Sequence, residues 1–409
     1  MEQVFIDNLI IHKARHLENI VIQISTTERK HLILTGKNGS GKTTVLVAMK
    51  NLLHNIMSNH DGYKAQENQL EKLKQQKIKF EANSISGEQM ERLKVRIENT
   101  DKWLKDFCGG MRINFNMHGF YKNFQDGNFI VAFFDAKRAN KLNIPTGSKK
   151  INVKKQYSVH ETANTIFLEH LVNLYFDKLS AKDDNDTKTV LKIDEWFSKL
   201  KLFLQEIFND AKLDLVFDKK NYTFNIIQKG HLPFGFNELS DGYSALLSIV
   251  TDLMIRMENR NNYEVQGIVI IDEVETHLHI DLQKKIIPFL TTIFPNIQFI
   301  VSTHSPFVLS SVENAVIYDL EKKLLVEDLS GYSYEAIVES YFEVDKYSES
   351  IKKKVKEYGE LVKKKDRTED EENKVWGLRM ELEKLPQTLN SDLSTAFLQI
   401  ETERLTQQK

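Results

Sequence analysis

Hydrophobic and polar positions along this chain follow two different periods. Val4 to Ile10 alternates in part and Ile20-Val21-Ile22-Gln23-Ile24 alternates cleanly, which predicts two strands. His31-Leu32-Ile33-Leu34-Thr35 follows as a short apolar strand, and Thr44-Val45-Leu46-Val47-Ala48-Met49 reads as the helix after it. From about Asn51 to Phe107 the chain turns charged, helical and poor in glycine. Tyr63, Leu70, Leu73 and Phe80 sit at heptad-compatible offsets, interrupted by Gln66 and Lys77. Met90, Leu93, Ile97, Leu104 and Phe107 recur by threes and fours, with Thr100 as the polar gap, and Ser86 with Gln89 makes a capping box for that second helix. Two arrangements satisfy this pattern: an antiparallel hairpin with arms of about 40 Å, or two helices lying flat on a domain. A tip without Cys-x-x-Cys excludes a metal-mediated hook.

Strands resume at Arg112–Asn116 and at Asn128–Phe134, the latter buried by its length and aromatic content. Helices are predicted over Thr162–Leu179 and Lys188–Phe208, strands near Leu213–Phe217 and Tyr222–Ile227. Gly267–Ile271 reads as a fully buried strand and Ile297–Ser302 as the last core strand. After Val316–Asp319 comes a tail with a helix over Ser333–Phe342 and charged helices over Glu349–Lys364, Glu369–Leu385 and Ser391–Leu405. Strands interleaved with helices make this an α/β protein.

At 409 residues, 41% of them hydrophobic, the chain supports one large α/β domain plus an appendage. A formal charge of −2 argues against coating nucleic acid by bulk electrostatics. The single cysteine, Cys108, rules out an internal disulfide framework and fits a reducing compartment. The N-terminus lacks the zones of a signal peptide, and no apolar stretch approaches the ~20 residues of a membrane span. The expectation is a cytoplasmic protein with no membrane partner.

The chemistry concentrates at strand ends. Gly36-Lys37-Asn38-Gly39-Ser40-Gly41-Lys42-Thr43, with Thr44 after it, lies between a strand and a helix, the context a phosphate-binding loop requires. Its glycines let backbone amides wrap an anion, and the helix points its positive end at the same charge. Lys42 is placed to reach β- and γ-phosphates and the Thr43 hydroxyl to ligate Mg²⁺. Ser240 and Gly242, at the start of an apolar helix, form a second phosphate-binding corner, with a simple N-cap as the plainer reading of Ser240. Asp272 and Glu273 end a buried strand, where acids are costly unless they serve a metal or a water. Asp272 would hold Mg²⁺, and Glu273 would orient or deprotonate the attacking water. His304 follows the last core strand; a lone histidine is ordinarily structural, but this one sits at a carboxyl strand end within reach of a γ-phosphate.

Several polar clusters carry two readings. The basic turn His12–His16 is either near a base or ribose or, more simply, solvated. Lys137 and Arg138, just past a core strand, either touch nucleotide or partner or sit in a solvated loop. His277 and His279 read as polar residues at a helix start, and Asp183–Asp186 as a solvated loop without the calcium-loop pattern.

Taken in order, Gly36–Thr43, Leu239–Tyr243, Ile268–Glu273 and Ser302–Ser305 resemble the Walker A, signature, Walker B and histidine-switch motifs of ABC-type ATPase heads. Glu273–His279 and the helical insertion are more similar to the RecF-, SMC- and OLD-like group than to transporter subunits. Within it, Phe236–Tyr243 and Ala136–Arg138 resemble the PtuA-type, AAA-family ATPases of Septu and retron-linked anti-phage defence. The resemblance implies an ABC-ATPase head, a RecA-like P-loop fold with an antiparallel β subdomain, a helical-hairpin insertion and an α-helical C-terminal tail. The expected layout is residues 1–50 for the first half of the head, 51–108 for the insertion, 109–330 for the rest of the head, and 331–409 for a docking region. It implies ATP and Mg²⁺ as cofactors and a homodimer sandwiching ATP, with Lys42, Thr43, Asp272, Glu273 and His304 from one head and Ser240 and Gly242 from the other. A separate nuclease or toxin effector, or DNA, is the further partner it suggests. A RecF-like repair ATPase shares the same motifs; a transporter subunit fits the insertion poorly. One departure stands out: no glutamine-containing loop can be placed after Phe129–Phe134. The tail carries no strand-borne acidic cluster of a nuclease and reads as a docking or dimerisation element.

Overall fold

The computed structural model describes residues 3–83, 85, 87–115, 120–138, 142–147, 149, 151, 153–258, 265–326, 329, 331–338, 349–364, 366–383 and 391–407. The chain divides into two compact units, 1–332 and 333–409. In the first unit the strands are β1 (Ile6–Ala14), β2 (Leu17–Gln23), β3 (His31–Thr35), β4 (Met111–Phe115), β5 (Phe129–Phe134), β6 (Asp214–Asp218), β7 (Thr223–Ile227), β8 (Phe234–Gly235), β9 (Gln266–Ile271), β10 (Ile297–Ser302), β11 (Ala315–Asp319) and β12 (Leu324–Val326). They build a six-stranded sheet of order β12-β11-β3-β10-β9-β5, parallel except at β12, and two antiparallel sheets, β2-β1-β4 and β6-β7-β8. This is the α/β fold with an antiparallel subdomain that the motif order implies.

The parallel strands read as continuous apolar runs because helices cover both faces. Every residue of β3, β10 and β11 is buried. Sequence reasoning closed the sheet at Ile297–Ser302; instead β11 adds a further buried strand parallel to β3. The β1–β2–β4 sheet shows the alternation of a half-buried surface, with Leu9, Ile11, Ile20 and Ile22 inward and Val21 exposed. Its inward face joins one core with β3 and the helix Lys42–Ser58.

That helix runs through residue 51, so the insertion proper begins at the helix His60–Ala82 and returns through Glu88–Phe107. The two form a paired hairpin. Tyr63, Leu70 and Leu104 join the core of the first unit at its base, and Leu73 and Leu93 are buried further out. Away from this seam the arms are exposed through residues 74–76 and 91–92. Gly87 stands at the N-cap of the returning helix, while the expected capping residue Ser86 lies outside the described residues. The helices Phe167–Asp183 and Thr187–Ile207 flank a turn in which Asp186 caps the second by accepting from the Thr189 amide, so the acidic stretch has a structural task.

The second unit contains the helices Glu349–Lys363, Glu369–Glu383 and Ser391–Gln407. Val355, Tyr358, Val362, Val375, Leu378 and Leu382 form its core. The fully buried Tyr358 donates its hydroxyl to Glu401, which also accepts from Arg379 and Arg404 at 3.0 Å each. Leu385 and residues 339–348, where part of the tail pattern was read, lie outside the described residues. Among the described residues no helix is long and apolar enough to cross a membrane.

His31 begins β3 with its ring inside the core, 7% exposed, where Nδ1 accepts the Phe299 amide at 3.0 Å. Burial, helped by the nearby Arg29 charge, lowers its pKa from 6.5 to about 4. The unfolded chain therefore binds this proton more tightly, so the stability is full above pH 6.5 and is lost as pH falls toward 4. The difference corresponds to about 3 kcal/mol. His31→Asn, which retains an acceptor, should flatten the fall in denaturant-unfolding free energy between pH 6.5 and 4; an unchanged profile would remove His31 as its source.

Candidate functional site

Three of the four chemical motifs, the glycine-rich loop, the acid pair and the histidine segment, meet with the charged turn after β5 at the carboxyl edge of the parallel sheet, the edge where open α/β sheets bind ligands. The glycine-rich loop leaves β3, Asp272 and Glu273 follow β9, Thr303 and His304 follow β10, and Asp135–Arg138 follow β5. The order β3-β10-β9-β5 puts these ends side by side.

In the loop, Gly36, Gly39 and Gly41 all have positive φ. At Gly41 the φ of +101° favours glycine, and a Cβ there would also lie 2.7 Å from the movable end of the Leu17 side chain. Lys37, Asn38 and Gly39 are exposed, with Lys37 Nζ 3.0 Å from Glu321 Oε1. Lys42 is buried and its ammonium donates back to the carbonyls of Gly36 (2.8 Å) and Lys37 (3.2 Å). Burial lowers its pKa, opposed by the carboxylates of Glu275, Glu273, Asp272 and Asp319. Ser40 Oγ is buried with no hydrogen-bond partner. Thr43 is exposed and donates Oγ1 to Asp272 Oδ1 at 3.2 Å; Thr44 is half-buried in the first turn. The first amides of this helix have no intrahelical acceptor and open toward the loop.

Asp272 Oδ1 also accepts from Ser302 Oγ at 2.6 Å, and the same Ser302 Oγ accepts the Glu273 amide at 2.8 Å. The Val274 amide bonds the Ser302 carbonyl at 3.1 Å. Glu273 has φ +44°, uncommon for a residue with a Cβ, and its Oε2 accepts from Thr276 Oγ1 at 3.1 Å. Glu275 Oε1 accepts the His304 amide at 2.6 Å, while its Oε2 is buried without a partner. Burial, then the Lys42 charge, lowers the His304 pKa, which keeps its imidazole neutral at neutral pH.

These atoms fit the groups implied for them. A hydroxyl and a carboxylate oxygen 3.2 Å apart are the hard donors that Mg²⁺ takes from protein when phosphates and water complete its shell. The glycine cradle, the helix N-terminus behind it, the orphaned Ser40 hydroxyl and a lysine turned onto carbonyls suit a polyphosphate. Two readings need adjustment and a third holds. The basic turn is not merely solvated: at the β1–β2 tip, His16 Nε2 lies 3.3 Å from the Ser40 carbonyl oxygen. Arg138 is not in a solvated loop: it donates to the carbonyls of Asp135, Asp272, Glu273 and Val274. His279 stands at the N-cap of the short helix Ile280–Gln283, as a helix-start residue should.

Ser240 and Gly242 are not brought into this cluster of contacts. Ser240 occupies the N-cap position of the helix Asp241–Met257, yet its side chain makes no capping bond. It is exposed and lines a groove of about 780 Å³ with Tyr243, Phe208, His277, Lys284 and Lys285. Gly242 is buried, and a Cβ there would lie 2.6 Å from the His277 carbonyl oxygen, so close packing within the chain already demands glycine. Sequence reasoning missed Ser302 and Glu275 as site residues. Both stand in the quoted motifs, but only the strand order reveals that they join β10 to β9.

The family model described as "AAA domain, putative AbiEii toxin, Type IV TA system" matches residues 32–310. Among curated proteins, "Septu protein PtuA" of Bacillus mycoides is 25% identical over 83% of this chain and 45% of its own length. "Retron Ec83 probable ATPase" of Escherichia coli is 32% identical over 49% of this chain and 38% of its own. "Retron Vc95 probable ATPase" of Vibrio cholerae is 25% identical over 84% of this chain and 81% of its own. The chain thus spans less than half the length of the first two. Among solved structures, the SMC head domain from Thermotoga maritima aligns over 77% of this chain and 94% of its own, at 13% identity and a TM-score of 0.34.

Removing the Ser302 hydroxyl strands both the Glu273 amide and one bond to Asp272. Ser302→Ala should lower unfolding free energy by about 1–3 kcal/mol in denaturant titration. A loss below about 0.5 kcal/mol would mean that this bridge contributes little to the folded state.

Proposed function

The chain belongs to the AAA_21 family of AAA ATPase domains, and from that premise we propose a Mg²⁺-dependent ATPase that works as a nucleotide-driven dimer switch. The observation that carries the reading is the convergence of Lys42, Thr43, Asp272 and Glu273 at one sheet edge, while the Ser240 hydroxyl is exposed and unspent in a separate groove. One face supplies a phosphate cradle and a water-activating acid; the other supplies a hydroxyl beside a helix N-terminus.

In this mechanism the loop amides and Lys42 hold the triphosphate, and the Lys42 ammonium leaves its loop carbonyls for the β- and γ-phosphate oxygens. Thr43 and Asp272 would hold Mg²⁺, which supplies charge neutralisation on the phosphate oxygens when bound. Glu273 orients the attacking water and accepts its proton at the carboxylate. His304, kept neutral by burial and Lys42, serves as the γ-phosphate contact. Ser240 of a second copy closes the site, so hydrolysis removes a contact shared by two chains and biases the dimer toward opening. The Septu and retron relatives support placing this switch in anti-phage defence, gating a separate nuclease or toxin effector or DNA. The helical unit 333–409 then serves as the docking element.

Glu273→Gln keeps the hydrogen-bonding shape of the side chain and loses the base. It should retain ATP affinity, lower kcat about 10²-fold or more, and accumulate dimers with ATP in sedimentation velocity. Adding Ser240→Glu should abolish those dimers. Normal turnover by Glu273→Gln would move the base elsewhere, and ATP-independent association of both variants would remove the shared-nucleotide interface.

A further inference from the structure

We propose that Arg138 is a positioning residue for the hydrolytic step: its guanidinium fixes the backbone turn that aims Glu273, without touching nucleotide. The inference rests on the reading that Glu273 activates the attacking water.

The carbonyls of Asp272, Glu273 and Val274 all point to one guanidinium, from Arg138 Nη1 to Asp272 at 2.9 Å and from Nη2 to Glu273 at 3.1 Å and Val274 at 2.9 Å. These three carbonyls converge on the guanidinium just after β9 has ended, in a turn that carries the left-handed φ of +44° at Glu273. The amides of Glu273 and Val274 face the opposite way, onto the Ser302 hydroxyl and carbonyl, while that of Asp272 still bonds the Phe134 carbonyl of β5. The turn after β9 is thus gripped from both neighbours in the sheet, by Ser302 ending β10 and by Arg138 just past β5. A left-handed residue persists where its surroundings over-determine it, and such residues collect at functional turns. Arg138 also anchors itself on the Asp135 carbonyl at 3.1 Å, so both Nη atoms are occupied by backbone, while Nε is buried with no hydrogen-bond partner. A lysine has the charge but not the planar fork, and it cannot serve these carbonyls in parallel.

The test uses the full chain as wild type, Arg138→Lys and Arg138→Ala, with three readouts: binding of fluorescent ATP, steady-state turnover, and hydrogen exchange of the amides at 272–276 without nucleotide. Expected for Arg138→Ala are faster exchange at 273–274, ATP affinity within about threefold and kcat lower by about 10²-fold, the loss a misplaced catalytic group produces. Arg138→Lys should fall between, and added guanidinium should restore part of the Arg138→Ala turnover. Affinity and kcat falling together, or both unchanged, would overturn the proposal, as would two variants that fail to fold by circular dichroism. If the wild type itself shows no turnover, the ATPase reading fails, while the exchange data alone still decide whether Arg138 holds the turn.

Discussion

Asp272 is the joint on which the site depends. Its carboxylate is only 4% exposed, and one oxygen accepts hydroxyls from both Thr43 and Ser302. A buried carboxylate is costly unless it is hydrogen-bonded. Here the bonds that satisfy it come from the loop after β3 and the end of β10, so satisfying one charge fixes the spacing of three strand ends. The loop, the acid pair and the histidine strand are placed by the same two hydroxyl bonds. Cations collect around the acids for the same reason. Burial lowers the pKa of Lys42 and brings that of Arg138 to about 10, while Glu275, Asp272 and Glu273 oppose the shift in each. The site is a compact set of opposed charges, which suits a ligand that brings both a polyanion and a divalent cation.

Much of this was legible in the sequence because it is local. A glycine-rich turn between strand and helix, and two acids at the end of a buried run, are defined within ten residues each. The fold class followed from the same strands. Features that depend on strand order were not legible. Arg138 reads as part of a charged turn until β5 is known to lie beside β9, and Ser302 reads as a strand end until it faces Asp272. His16 lies 24 residues from Ser40 and meets it only because the antiparallel sheet folds over the loop. Ala315–Asp319 has the composition of a core strand, but its place beside β3 depends on a parallel pairing that no turn announces.

Ser240 shows how a structure can separate two readings that a sequence leaves merged. A serine before an apolar helix is ordinarily a cap, and its hydroxyl is then committed to a backbone amide. In this chain the residue holds the cap position with extended backbone, and the hydroxyl makes no such bond. Capping does not explain the side chain. Gly242 behaves in the opposite way, because its lack of a Cβ is already required by the His277 carbonyl. The groove beside them is polar and cationic in part, with Lys284, Lys285 and His277 on its walls.

Buried bonds also tie a helix of the first unit to β5 of this sheet. The helix that starts at Ser240 carries Asp252 and Arg256, paired at 2.5 Å with side chains 3% exposed or less. Asp252 accepts the amides of Ala163 (2.5 Å) and Asn164 (3.3 Å), and Arg256 donates to the carbonyls of Val131 in β5, Ser158 and Glu161. A buried pair of this kind is weak as a source of net stability, yet breaking it leaves an uncompensated charge, about 3–5 kcal/mol of loss. Its effect is to specify geometry. The Ser240 helix is pinned to β5, and Arg138, just past β5, grips the turn that carries Glu273. On the other side, the helix that begins with Lys42 continues to Ser58 and passes almost directly into the insertion, whose base shares the head core through Tyr63 and Leu104. The turn that carries Glu273 and the loop before Lys42 are thus each tied to a helix that leads away from this sheet edge, toward the Ser240 groove in one direction and the base of the paired arms in the other.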